Sequence, residues 1–135
     1  MKRIGRQGIA FESPDLIHVV VRGEVSLEEI RELIAFIKEA IAGSPYLLLL
    51  GDLSAFQELA PGVRRVAMEL SRSLPYRGVA LIGGSVHGKV IAKLLLNALN
   101  LFTQRDTPIR FFATEAEAYA WLLERRRVLT ARPDR

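Results

Sequence analysis

Cysteine is absent from the 135-residue sequence. That excludes thiol catalysis, disulfide stapling and cysteine-based zinc sites, and it is neutral about compartment. Histidine is scarce, with only His18 and His87. Two imidazoles leave little for a metal site, and neither a metal nor a cofactor is expected. No apolar run approaches membrane-spanning length, and the basic opening segment, residues 1–7, is not followed by the continuous apolar stretch of an export signal. A soluble cytoplasmic protein is the expectation. Repeats and low-complexity stretches are also missing from the interior. What is present is a chain that is 50% apolar, of a length that suits one compact domain burying most of its apolar surface unaided.

A pI near 9.8 raises the question of nucleic acid, so the placement of charge matters more than its sum. Lys2, Arg3 and Arg6 crowd the start, while Arg125, Arg126, Arg127, Arg132 and Arg135 outnumber Asp134 at the end. These two ends together exceed the net charge of +4, so residues 8–124 are net acidic. A nucleic-acid binder carries its basic footprint on a folded face, with a recognition helix or aromatics attached. Here the basic residues read as a frayed arm, residues 1–7, and a frayed tail, residues 125–135, that solubilise or weakly attract anions. Nucleic acid is not the expected partner.

Between those ends the pattern alternates. Two β-prone runs, residues 8–13 and 15–22, meet at Ser13-Pro14-Asp15, the signal of an antiparallel hairpin. Ser26 and Glu29 have the spacing of a capping box, and Ile30, Leu33, Ile34, Ile37 and Ile41 form one apolar stripe behind them. Leu47 to Leu50 is a short unbroken apolar run ending in Gly51-Asp52, which predicts a buried strand delivering a carboxylate to its C-terminal edge. After a loop over residues 52–60, Pro61 is placed in the first turn of a second helix, with Val63, Val66, Ala67 and Leu70 inward and Arg64 and Arg65 outward. Residues 78–82 form another buried strand closed by Gly83-Gly84. A helix over residues 87–103 follows, with a wide apolar arc. Strand 109–113 then leads to Thr114 and Glu117, a second capping pair, and a last helix anchored by Ala118, Tyr119, Trp121, Leu122 and Leu123. Strands alternating with helices in this way call for a mostly parallel sheet covered by helices.

This order, together with Gly23-Glu24, Asp52-Leu53-Ser54 and the closing segment from Phe111 to Leu122, resembles the STAS-like superfamily in its SpoIIAA-like branch, over residues 8–124. The resemblance implies a single α/β domain of order β-β-α-β-α-β-α-β-α, a mostly parallel sheet with an N-terminal antiparallel hairpin. In anti-sigma-factor antagonists of this superfamily, Asp-Leu-Ser is followed by a turn whose serine a partner kinase phosphorylates. The corresponding stretch here is Glu58-Leu59-Ala60-Pro61-Gly62, which has no hydroxyl, so that switch does not carry over. Ser54 keeps a hydroxyl beside a carboxylate, and backbone hydrogen bonding after the strand is its simpler role. The branch without the serine is similar in topology to lipid-binding SEC14-type domains, which implies apolar ligands or membranes as partners.

Three motifs compete for chemistry. Gly83-Gly84-Ser85-Val86-His87-Gly88-Lys89 fits the spacing of a phosphate-binding loop, but Val90 stands where the magnesium-holding hydroxyl belongs. A tight strand-to-helix turn is the simpler use of the two glycines. Asp52, Ser54 and His87 share one sheet edge and would make a hydrolase only if they met at hydrogen-bond distance, without any nucleophile elbow to place the serine. His18, alternating with Leu16 and Val20 on a strand, reads as a packed or edge residue rather than a base.

The expected function is therefore non-enzymatic: an interaction or regulatory module whose edge comprises Asp52, Ser54, Arg64, Arg65, Ser85, His87 and Lys89, with a protein partner. The alternative is binding of an apolar ligand or a lipid surface through Val90, Leu94, Leu95, Leu99 and Phe102. The same helix has apolar surface to spare for a homodimer. A small hydrolase or nucleotide binder is the third and least favoured class.

Overall fold

The computed structural model describes residues 1–131. Six strands form one sheet in chain order: β1 (Lys2–Ile4), β2 (Gln7–Glu12), β3 (Leu16–Val25), β4 (Leu47–Leu59), β5 (Tyr76–Ile82) and β6 (Ile109–Phe112). Four helices, α1 (Leu27–Ala40), α2 (Val63–Ser71), α3 (Val86–Thr103) and α4 (Glu115–Thr130), complete the single α/β domain. The β1–β2 and β2–β3 pairs are antiparallel, and β3, β4, β5 and β6 run parallel. The expected hairpin with its turn at Ser13-Pro14-Asp15 is thus β2–β3, and the parallel part follows from a helix between each successive pair of strands.

Leu47 to Leu50 read as continuous apolar because the strand is covered on both faces. Leu47 and Leu53 enter the larger core beneath α1, α2 and α3, whereas Leu48 and Leu50 join Leu16, Ala80 and Ile82 against Ala118 and Leu122 of α4. Both predicted capping pairs form. Ser26 Oγ accepts the Glu29 N–H at 3.1 Å, and Glu29 returns a carboxylate oxygen to the Ser26 N–H at 2.9 Å. Glu29 also accepts the Arg6 N–H with its second oxygen, 2.9 Å away, so one carboxylate caps α1 and pins the β1–β2 turn. Thr114 Oγ1 accepts the Glu117 N–H at 3.2 Å to open α4.

Four expectations change. Residues 1–7 are not a frayed arm, since Lys2–Ile4 pairs with β2 as an edge strand and Ile4 is buried. Residues 52–60 are not a loop: β4 runs on to Leu59, paired with β3 as far as Val25, because Leu53 and Phe56 still have a core to enter. Pro61 lies before α2 rather than in its first turn, and Gly62 takes the left-handed φ of 85° that starts the helix. The C-terminal basic residues are not all tail, because α4 continues to Thr130. Arg125 donates to the Arg77 carbonyl at 3.0 Å, and Arg126 reaches a buried carboxylate on Asp15. Arg132, Asp134 and Arg135 lie outside the described residues.

Among the described residues no helix is long and apolar enough to cross a membrane.

Candidate functional site

The helices on the larger face do not lie side by side on the sheet. α1 packs on β1, β2 and β3, α3 packs on β4, and α2 packs chiefly on α1 and more sparsely on α3. The arrangement leaves a cavity of about 170 Å³ floored by the sheet, walled by α1 and α3 and roofed by α2. Leu49, Leu53 and Leu81 belong to its floor, Leu33 and Ile37 to one wall, Leu95 and Leu99 to the other, and Met68 to the roof. Among its lining residues Ser71 and Tyr76 alone carry polar side-chain oxygens, and no carboxylate, lysine, arginine or histidine is included. Burial pushes the Tyr76 phenol pKa upward, so its neutral form is the one favoured there. Leu49 shows the consequence of this packing: at the middle of a central strand, it is only half-buried.

α3 is the reason. Of its 18 residues only Gly88 and Leu99 are fully buried. One side, with Ile91, Ala92, Leu95, Leu96 and Leu99, lines the cavity. The other leaves Val86 81%, Val90 50%, Leu94 54% and Leu101 82% exposed. The five residues expected to make one apolar surface are therefore divided. Leu95 and Leu99 line the cavity, while Val90 and Leu94 face outward and Phe102 stacks under Arg72, whose guanidinium lies 4.5 Å from the ring centre.

The extension of β4 past Asp52 and the turn leading into α3 lie side by side. The glycines make this possible. A Cβ on Gly83, where φ is +68°, would fall 2.2 Å from Ser54 Oγ, and one on Gly84, at φ +96°, would fall 3.0 Å from Leu53 Cβ. The start of α3 is thereby pressed against the extension of β4, and Ser85 caps the helix by accepting the Gly88 N–H at 3.0 Å. His87 completes the contact by meeting Glu58 Oε2 at 3.1 Å. That hydrogen bond holds the Glu58 carboxyl below the usual range.

Asp52, Ser54 and His87 do not form the triad geometry a hydrolase needs. Asp52 follows Leu48 and Leu50 on the α4 side of the sheet, where its carboxylate accepts the Ser54 N–H at 2.9 Å. His87 is engaged by Glu58. Lys89 is exposed on the first turn of α3, and Arg64 and Arg65 are exposed on α2, where Arg65 lies 3.9 Å from Glu69. His18 is packed as expected; its Nε2 is buried without a hydrogen-bond partner, 3.8 Å from Glu115 Oε1.

Glu58 is not among the residues expected at the edge, because residues 52–60 carry no strand pattern, yet it lies in β4 and meets His87. The wide apolar arc of α3 was the available signal for the cavity, but α2 standing off the sheet is a tertiary arrangement with no local signature.

The comparisons bear on the fold. No curated protein matches the chain. A solved structure of an uncharacterized protein from Shewanella loihica, described as having a SpoIIAA-like fold, superposes with a TM-score of 0.63 at 21% identity, covering 86% of this chain and 91% of that one. At that identity the likeness shows the fold alone. A family model named SpoIIAA-like matches residues 16–123, and with that match over most of its length the chain belongs to the SpoIIAA-like family.

Proposed function

We propose that this domain binds a small apolar ligand in the cavity between the sheet and α1, α2 and α3. The carrying observation is a void of about 170 Å³ lined almost entirely by apolar side chains above a half-buried central-strand leucine. An apolar occupant would gain dispersion contacts with this lining without desolvating a buried charge. Cavities of roughly 150 Å³ with such linings stay dry and accept benzene-sized molecules.

The regulatory reading is compatible with this one and draws on a different observation, the exposed row Val86, Val90, Leu94 and Leu101 on the outside of the same helix. A helix that lines the cavity on one side and offers apolar surface on the other would report occupancy to a protein partner, a second copy or a membrane surface. The experiment is mass spectrometry of the freshly purified chain, first native and then after denaturation and organic extraction. A retained apolar compound that is absent from an Ala92→Phe variant supports the proposal. Failure of the native chain to retain any compound, and to gain thermal stability on adding benzene, would contradict it.

A further inference from the structure

We infer that the ligand class is an anionic amphiphile, with its hydrocarbon chain in the cavity and its acid group held at the α2–α3 seam; this deepens, and rests on, the apolar-ligand reading. The cavity excludes the headgroup. A carboxylate drawn into its apolar lining would lose its hydration with no cation to meet it. The chain must therefore enter with its polar end left behind.

Where that end comes to rest follows from the two helices. α2 and α3 each follow one of two parallel strands and return across the same face of the sheet, so they start at the same end. At that end His87 meets Glu58, just ahead of α2, and at the other Arg72 lies over Phe102. Arg64 and Met68 of α2 and its C-cap Arg72 recur every four residues, and His87, Ile91, Leu95 and Phe102 follow the corresponding row of α3. Met68, Ile91 and Leu95 line the cavity, so the charged members of these rows flank its seam.

The charge along the seam is one-sided. α3 contains no acidic residue, and the acidic residue of α2, Glu69, lies beside Arg65. Glu58 is engaged by His87. Among the described residues Arg64 and Arg72 have no carboxylate within ion-pair distance. Arg64 and Arg72, guanidiniums without acids at the two ends of the seam, each offer a carboxylate or phosphate monoester on a short chain a seat beside an apolar cavity without charges. The cavity holds about six or seven carbons, judged by the benzene-sized occupants of voids of roughly 150 Å³.

The test is calorimetric titration of the full chain with octanoate, 1-octanol and octylamine, which share a chain and differ in head charge. Octanoate is expected to bind most tightly. Arg64→Gln together with Arg72→Gln should weaken octanoate about tenfold and leave 1-octanol unchanged. Arg64→Gln alone, at an exposed position, should show part of that loss without loss of fold. Equal binding of octanoate and 1-octanol, or tighter binding of octylamine, would overturn the headgroup assignment while the apolar-ligand reading stood. Failure of all three to bind would overturn both.

Discussion

Arg126 and Asp15, 111 residues apart, form a two-point ion pair that ties the end of α4 to the start of β3. Arg126 Nη2 lies 2.7 Å from Asp15 Oδ1 and Nε lies 3.1 Å from Oδ2, while the Tyr46 hydroxyl donates to the same carboxylate at 2.6 Å. Asp15 is 1% exposed and Arg126 26% exposed at the side chain. The pairing raises the Arg126 pKa above its already high ordinary value.

The unequal burial makes the two halves of this pair unequal in mutation. Arg126→Met strands a buried carboxylate and is expected to cost about 3 kcal/mol. Asp15→Asn leaves a guanidinium that can turn to water and should cost about half of that. Urea unfolding of both variants measures this, with an unchanged slope confirming that the folded state is the one affected. Equal costs would argue against Asp15 as the buried partner.

Tyr46 predicts an alkaline transition. Burial first, and then its hydrogen bond to Asp15, push the phenol up to about 12. A raised pKa means the folded state holds the proton more tightly than the unfolded chain, whose phenol titrates near 10. The stability this contributes is whole below about pH 10 and is lost as pH rises toward 12. Denaturation midpoints across that window should fall more steeply for the native chain than for Tyr46→Phe.

Glu29 predicts the opposite slope. Burial works to raise its pKa but is outweighed by the backbone hydrogen bonds from Ser26 and Arg6, and the net direction is downward. Its contribution is therefore present above the ordinary carboxylate range and fades as pH falls through the lowered value. Glu29→Gln should cost about 1 kcal/mol near neutral pH, and the gap between variant and native chain should close in acid. A gap independent of pH would show that the charge is not used.

The two faces of the sheet should answer differently to added volume. Ala92 lines the cavity, whereas Ala118 of α4 is fully buried against the opposite face of the sheet. Ala92→Leu should leave the melting temperature unchanged or higher, because its methyls enter empty space. Ala118→Leu should cost about 1–3 kcal/mol through overpacking. Comparable losses from both would indicate a collapsed cavity.

The sequence makes legible whatever is settled within a few residues. Ser26 with Glu29 and Thr114 with Glu117 act through neighbouring N–H groups, and Leu47 to Leu50 can be read because a strand covered on both faces is apolar throughout. β4 beyond Asp52 is different. Gly51-Asp52 is a local turn signal, and it is overridden because Phe56 has a core to enter and Leu59 a partner in Val25. Lys2–Ile4 was hidden because a short, charged edge strand carries little pattern. At the site, the apolar arc of α3 was visible, but its division into a cavity-lining and an outward side depends on α2 standing away from the sheet. Arg126 read as tail because its partner is 111 residues distant.

Methyl NMR during titration with benzene tests the central claim most directly. Shifts are expected for Leu49, Leu81, Leu95 and Leu96, which line the cavity, and none for Leu16, Leu48, Leu50 and Leu122, which pack on the α4 side. Shifts confined to the α4 side, or no saturable shift in any of the eight, would contradict it.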